Sequence, residues 1–221
     1  MSPLRGSLST SSFDFDGGRD VTAYVPVEPP VLTAFAADGQ WHVEQLADRL
    51  EASSAPATAI IGIHGQESDD DRLHEYIESF GGSRFAAFEA FVIGEVRAWA
   101  SSHLGLDTPT SATAFWGASL GGELALAMGL RHPEIFGTVL CASPGGGFRP
   151  EGQPMAGPLP RAYLLGGTGE PWFLDNARRW ADALIEAGAL AVLAERDGEH
   201  GGSFWYDEFP RMVQWASSAS D

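Results

Sequence analysis

The sequence predicts an α/β domain with a mainly parallel sheet. Short runs of β-branched and apolar residues alternate along the chain with longer amphipathic segments, which is typical of repeated strand–helix–strand units. Several of the short runs are almost continuously apolar, as expected for strands that helices cover on both faces. The chain has 221 residues, 44% hydrophobic and 19% charged, so we assign residues 1–221 to one compact domain.

Seven short runs are predicted to be strands, because each is rich in apolar or β-branched residues and ends near a glycine, a proline or a polar cluster. The predicted strands are residues 19–25, 31–36, 58–63, 111–116, 138–142, 162–165 and 190–195. The two Ser-rich ends, residues 1–12 and 217–221, are expected to fray.

Four segments have apolar residues at helical spacing. The predicted helices are residues 41–51, 85–103, 120–131 and 171–187. Pro171 suits the first turn of the last helix, and Gly188 supplies its stop. The Gly- and Pro-rich segment 143–160 is predicted to be a long ordered loop and a candidate pocket wall.

Charge and cysteine content narrow the class of function. Thirteen basic and thirty acidic residues give a net charge of −17, which disfavours nucleic acid and anionic membrane partners. The single cysteine, Cys141, excludes an intrachain disulfide and a Cys-rich metal site. Without a signal-like start or a long apolar run, we expect a soluble, cytoplasmic protein. No motif indicates an oligomeric state.

A Gly-x-Ser-x-Gly motif spans residues 117–121 and centres on Ser119. It lies between a predicted strand and a predicted apolar helix, the context in which a sharp turn lifts a nucleophilic serine above a sheet. The N–H of Leu120, at the helix start, would face a developing oxyanion. A chance turn in a glycine-rich chain is the alternative, and the strand–turn–helix context favours the nucleophile.

A serine nucleophile needs a histidine as base, and in α/β-hydrolase order this histidine follows the serine. Four of the six histidines precede Ser119, and His132 lies at the far end of the helix that Ser119 begins. His200 remains, in a glycine-flanked loop after the last predicted strand. An exposed loop histidine without a catalytic role is the alternative.

The third member of the set is a carboxylate that orients the histidine. Glu170 is our choice, because it ends the loop after the predicted strand 162–165 and precedes a helix. Asp175 and Asp197 are the alternative acids. The structural alternative is that Glu170 only caps the helix that follows it and has no catalytic role.

Several segments together resemble the esterase family that includes esterase D, enterochelin esterase, the feruloyl esterases and the mycolyltransferases. They are residues 115–122, 131–137, 142–144, 167–173, 176–178 and 198–200, with Trp205. The resemblance implies the α/β-hydrolase fold, with Ser119, Glu170 and His200 as nucleophile, acid and base. Residues 38–40 resemble the family's Asp-Gly-x segment, which implies that the Gln40 N–H is the second oxyanion donor beside Leu120. An ordinary Asp-Gly surface turn is the alternative.

The chain departs from the family at the histidine loop, where Glu199 precedes His200 and a glycine replaces the usual aspartate after it. Three further residues are candidates for substrate contact: Trp41, His64 and Arg72. His64 directly follows the predicted strand 58–63, and Arg72 follows an acidic run that resembles a family segment near the cleft. For His64, the alternative is a purely structural role. For Arg72 and the acidic run, the alternative is a solvated charged face.

Aromatic side chains could also line a cleft for a sugar or phenyl group, although tryptophans in such a domain more often pack in the core. The candidates are Trp41, Phe148, Trp172, Phe204 and Trp205. Trp205 is expected to pack beneath the histidine loop.

These observations predict a serine ester hydrolase that acts on a small-molecule ester through an acyl-enzyme, without a cofactor or a metal ion. An acyltransferase that uses an alcohol or sugar acceptor is one alternative. A non-catalytic binding protein on a hydrolase scaffold is another, because fold alone does not determine function.

Overall fold

A computed structural model describes residues 3–146, 155 and 157–218. Within these residues, eight strands form one sheet with the order β1-β2-β4-β3-β5-β6-β7-β8. The strands are β1 (Ser7–Phe13), β2 (Arg19–Val25), β3 (Leu32–Ala36), β4 (Thr58–Ile63), β5 (Thr113–Ala118), β6 (Thr138–Ala142), β7 (Arg161–Gly167) and β8 (Ala191–Arg196).

The sheet is parallel from β4 to β8, whereas β1 and β2 are antiparallel to their neighbours. Parallel strands end at the same edge of a sheet, and ligands bind in α/β proteins at that edge. The turns that follow β3, β5, β6, β7 and β8 therefore meet at one edge. The predicted α/β fold is confirmed.

Helices follow most of the strands. They are α1 (Gly39–Glu51), α2 (Asp69–Tyr76), α3 (Glu78–Gly81), α4 (Ser83–Phe91), α5 (Arg97–Leu104), α6 (Leu120–Arg131), α7 (Pro171–Glu186), α8 (Phe204–Asp207) and α9 (Phe209–Ser217). A π-helical turn over Val92–Val96 joins α4 to α5. Among the residues described, no helix combines the length and the apolar character that crossing a bilayer requires.

The two faces of the sheet have separate hydrophobic cores. One core contains Phe35 and Phe115 and is covered by α4, α5, α6 and α7. The other contains Trp116 and Phe209 and is covered by α1, α8 and α9. Phe115 and Trp116 are consecutive residues of β5 and face opposite sides, as the pleat of a strand requires. Burial on both faces explains why the central strands are almost continuously apolar.

The expected fraying of residues 1–12 is wrong from Ser7 onward, because β1 pairs with β2 along its whole length. The hydroxyls of Thr10 and Thr22 are 2.8 Å apart across the pair. Phe13 packs edge-to-face on Phe91 with ring centroids 5.4 Å apart. An edge strand is held by main-chain hydrogen bonds, so its Ser-rich sequence carries no apolar pattern to indicate it.

The seven predicted strands are present, with ends displaced by up to two residues. The predicted helix 85–103 runs from Ser83 to Leu104 through the π-helical turn. The helices α2, α3, α8 and α9 were not predicted. α2, α3 and α8 have only four to eight residues each, whereas α9 buries Phe209, Met212, Val213 and Ala216 at helical spacing and so had a readable signal. Of the predicted loop 143–160, residues 147–154 and 156, including Phe148, lie outside the described residues. Of the second fraying segment, Ser217 belongs to α9, and residues 219–221 lie outside the described residues.

His42 joins α1 to α8 in the core beside Trp116. Its Nδ1 lies 2.9 Å from the hydroxyl of Tyr206, and its ring packs edge-to-face on Trp116 at 5.0 Å. Burial lowers the pKa of His42 from the ordinary 6.5 to about 4. The folded protein therefore holds this imidazole neutral over a pH range in which the unfolded chain protonates it.

This difference makes the free energy of unfolding depend on pH. The contribution of neutral His42 is complete above pH 6.5 and is lost as the pH falls towards about 4, because the unfolded state then binds more protons. We expect the free energy of unfolding to fall less steeply over this interval in His42→Gln than in the wild type. Urea denaturation at several pH values measures this, with the exposed His103→Gln as control. Parallel curves for wild type and His42→Gln would refute the assignment.

Candidate active site

Ser119 occupies a sharp turn between β5 and α6. Its backbone has φ 56° and ψ −120°, a conformation that a residue with a side chain rarely adopts. The flanking glycines make the turn possible, since a Cβ on Gly117 would lie 1.8 Å from the carbonyl oxygen of Gly121. The Ser119 N–H donates to the carbonyl of Ala142 at 2.9 Å, which ties the turn to the end of β6.

The structure brings Ser119, His200 and Glu170 together in one line of hydrogen bonds. The Ser119 Oγ lies 2.9 Å from the His200 Nε2, and the His200 Nδ1 lies 2.6 Å from the Glu170 Oε2. The three residues follow β5, β8 and β7. The main-chain bond from the Gly169 N–H to the Gly198 carbonyl, at 2.9 Å, joins the last two loops.

Glu170 is buried, with only 2% of its side chain exposed. Its Oε1 accepts a hydrogen bond from the Gly167 N–H at 2.8 Å and another from the Ser143 hydroxyl. Its Oε2 faces His200. Since both carboxylate oxygens act as acceptors, the His200 Nδ1 carries the proton, and its Nε2 is left to accept the proton of the Ser119 hydroxyl.

Ser143 supports Glu170 from the end of β6. It is fully buried and has φ 47°, a left-handed conformation that is unusual for serine. The Trp205 Nε1–H donates to the Ser143 Oγ at 2.7 Å. Because an indole N–H only donates, the Ser143 hydroxyl accepts from Trp205 and directs its own hydrogen at Glu170. Ser143 was not among the predicted site residues, although its place directly after a central strand was a signal.

Two aromatic rings hold the imidazole of His200. Phe173 stacks on one face, with centroids 3.7 Å apart and an interplanar angle of 19°. Trp205 meets the ring edge-to-face at 5.0 Å. Trp205 is buried, as expected for a residue beneath the histidine loop. These contacts limit rotation of the imidazole away from Ser119.

The turn at residues 38–40 follows β3, next to β5 in the sheet. Gln40 and Leu120 lie in the first turns of α1 and α6, where backbone N–H groups have no partner within the helix. The start of α6 packs closely on the residues that precede α1. A Cβ on Gly121 would lie only 2.9 Å from the Cβ of Ala37. The Gln40 side chain bonds to both the N–H and the carbonyl of Gly65, at 2.9 and 3.2 Å.

The buried Asp38 fixes this turn through hydrogen bonds to Arg72 and Tyr76. It has φ 55°, and only 1% of its surface is exposed. The Nε and Nη2 of Arg72 donate to its two carboxylate oxygens at 3.0 and 2.8 Å, and the Tyr76 hydroxyl donates to it at 2.9 Å. Burial and the neighbouring Asp38 raise the pKa of Tyr76, so its hydroxyl keeps the proton that it donates.

The three candidates for substrate contact have different surroundings. Arg72 donates to Asp38 and Asp69, and its guanidinium lies 5.0 Å from the centroid of the Trp41 ring. Trp41 is 46% exposed. The Nε2 of His64, which directly follows β4, lies 2.8 Å from the hydroxyl of Thr22 on β2. Arg72 and His64 therefore have structural partners, whereas Trp41 is open to a ligand.

The two alternative acids have other partners than His200. Asp175 pairs with Arg178 on α7, and Asp197 accepts a hydrogen bond from the Thr168 hydroxyl. Within the described part of the chain, no group of three His, Cys, Asp or Glu side chains is placed to hold a metal ion.

Solved structures of esterases share this fold. The enterobactin esterase of Shigella flexneri aligns over 97% of this chain and 60% of its own, with a TM-score of 0.78 and 18% identity. A ferulic acid esterase aligns over 97% and 98% of the two chains, with a TM-score of 0.74 and 17% identity. The S-formylglutathione hydrolase of Staphylococcus aureus aligns over 99% of both, with a TM-score of 0.70 and 13% identity. The chain thus spans about 60% of the length of the first of these.

Sequence comparison identifies the family. No curated protein sequence matches this chain. Residues 25–146 match the family model described as "Putative esterase", which is more than half of the 221 residues. The matched region contains Gln40, Ser119 and Leu120 and ends before Glu170 and His200. The chain belongs to this esterase family, within the α/β-hydrolase fold.

Proposed function

We propose that the protein is a serine ester hydrolase that cleaves small-molecule esters with Ser119 as nucleophile, His200 as base and Glu170 as orienting acid. The observation that carries the proposal is the hydrogen-bond chain from the Ser119 Oγ through both nitrogens of His200 to Glu170, with links of 2.9 and 2.6 Å. Membership of the esterase family supports the same reaction class.

In the first half of the reaction, the Ser119 Oγ attacks the ester carbonyl while the His200 Nε2 takes its proton. The imidazolium formed is stabilised by Glu170, and the negative charge on the carbonyl oxygen meets the N–H groups of Gln40 and Leu120. Each such donor contributes a factor of about 10²–10³ in rate. His200 then returns the proton to the leaving alkoxide, and an acyl-Ser119 remains.

In the second half, water takes the place of the alcohol. His200 removes a proton from the water, the resulting hydroxide attacks the acyl-Ser119, and the acid leaves as Ser119 regains its proton. No cofactor enters these steps. An alcohol or sugar that replaces the water would give acyl transfer, and product analysis with and without added acceptor separates the two outcomes.

Removal of the Ser119 hydroxyl tests the proposal directly. Ser119→Ala is expected to lower kcat/KM for p-nitrophenyl acetate by about 10⁴-fold or more, and to abolish labelling by a fluorophosphonate probe. Ser101→Ala, at an exposed position of α5, is the matched control and should behave as wild type. Unchanged turnover in Ser119→Ala would overturn the proposal. Absence of labelling in the folded wild type would favour a binding protein.

Ser143 is expected to act as a positioning residue through Glu170. Its hydroxyl donates to a buried charge, and such bonds contribute about 1.5–3 kcal/mol. Ser143→Ala should therefore lower kcat by about 10- to 100-fold with little change in KM. Ser143→Gly relieves the left-handed backbone but also lacks the hydroxyl, so it should be equally slow. A fully active glycine variant would assign the effect to the backbone and contradict a role for the hydroxyl.

Arg72 is expected to stabilise the turn that presents the Gln40 N–H. Arg72→Met leaves the buried Asp38 carboxylate without its cation, which should lower the free energy of unfolding by about 3 kcal/mol. This is the lower end of the range for a buried ion pair, since Arg72 itself keeps some contact with solvent. Hydrolysis of p-nitrophenyl acetate should slow as well. Urea denaturation and steady-state kinetics measure both effects, with Arg178→Met, in an exposed ion pair, as control. Wild-type stability in Arg72→Met would contradict this role.

A further inference from the structure

Trp172 and Phe173 form an aromatic corner beside His200, at the start of α7. Their ring centroids are 4.8 Å apart and their planes meet at 84°. Phe173 stacks on the imidazole, whereas Trp172 is 52% exposed. With Gly169, Glu199 and His200, the corner lines an open pocket of about 430 Å³. One of these two nearly perpendicular rings therefore stacks on the imidazole that transfers protons in the proposed reaction, and the other lines the same pocket.

Glu199 supplies a negative charge to the same pocket. Its side chain lies over Gly169, with the Glu199 Cγ 3.0 Å from the position that a Cβ on that glycine would take. Its carboxylate is exposed and has no hydrogen bond or ion pair with any residue that the structure describes. No lysine or arginine belongs to the lining of this pocket as described. Arg178, further along α7, is paired with Glu195 and Asp175.

Aromatic faces and a carboxylate together favour a cation with an apolar surface. An alkylammonium group over an exposed aromatic face gains about two- to fivefold in affinity, and quaternary ammonium ligands are recognised by such aromatic walls. The net charge of −17 also raises the local concentration of cations and repels anions. An anionic substituent in this pocket would face the Glu199 carboxylate, with no basic partner among the residues that the structure describes.

We propose that the aromatic corner and Glu199 bind the cationic head of the alcohol part of an ester, so that the enzyme prefers esters of amino alcohols, including quaternary ones. The inference rests on the proposed function. The alcohol part is assigned to this pocket because the corner adjoins His200, which gives its proton to the leaving alkoxide. The Ser119 Oγ–acyl bond forms, the bond from the acyl carbon to the alkoxide oxygen breaks, and the amino alcohol leaves as a neutral hydroxyl with its ammonium intact.

A pair of isosteric substrates tests the proposal. Butyrylcholine and 3,3-dimethylbutyl butyrate differ only in a quaternary nitrogen or a carbon at one position. We expect kcat/KM at low ionic strength to be about five- to tenfold higher for the choline ester, and added salt to reduce this ratio. The ratio should fall towards one in Glu199→Gln and in Trp172→Ala. Glu186→Gln, at the far end of α7, makes the same charge change outside the pocket and should keep the wild-type ratio.

The outcomes separate this inference from the proposed function. Equal or faster hydrolysis of the neutral ester by the wild type would overturn the cation site and leave the esterase proposal intact. An unchanged ratio in both Glu199→Gln and Trp172→Ala would also overturn it. Hydrolysis of neither ester, together with no fluorophosphonate labelling of Ser119, would instead contradict the proposed function itself. Competitive inhibition of p-nitrophenyl acetate hydrolysis by tetramethylammonium, weakened in Glu199→Gln, is a further expected result.

Discussion

The buried Glu170 carboxylate is the interaction on which the geometry of the site depends. A buried charge is costly unless several donors solvate it, and here the donors come from different loops. The Gly167 N–H belongs to β7, the Ser143 hydroxyl follows β6, and the His200 Nδ1 lies after β8. The carboxylate is therefore satisfied only when all three loops are docked. The same requirement that stabilises the fold at this edge also directs the imidazole at Ser119.

A second buried carboxylate, Asp38, holds the turn on the other side of Ser119 in place. Asp38 is solvated by Arg72 and by the Tyr76 hydroxyl, and the turn it begins carries the Gln40 N–H. Neither Glu170 nor Asp38 needs to touch a substrate. Each holds a neighbouring group in place, so the strained Ser119 turn lies between two polar clusters that bind and orient the parts around it. Local strain at a functional residue persists only where its surroundings determine it in this way.

The elements that could be predicted from the sequence are those with a local signal. The Gly-x-Ser-x-Gly spacing indicated the turn because the close contact that requires glycine joins residues only four positions apart. The order of residues along the chain left His200 as the base. The Arg72–Asp38 pair depends on a contact between distant segments, which no spacing reveals. For Ser143, the one signal was its place directly after a central strand, and its contacts with Glu170 and Trp205 also join distant segments. The Ser-rich β1 is held mainly by main-chain bonds to β2, so its sequence carries no apolar pattern. In α2, however, Ser68 accepts a hydrogen bond from the Asp71 N–H, and acidic residues fill the first turn, so this start had a readable signal.

The charges around the site are distributed unevenly, and this distribution bears on specificity. On the side of Gln40, the Asp38 carboxylate is paired with Arg72, so the turn at residues 38–40 carries a compensated charge. On the side of His200, Glu170 is enclosed, and the exposed Glu199 lies without a basic partner among the described residues. In the proposed reaction, the carbonyl oxygen of the ester lies at the turn of residues 38–40, and the alcohol part meets the uncompensated charge of Glu199. If the alcohol part occupies the pocket beside Trp172 and Phe173, as we propose, selection by charge acts on that part of the substrate.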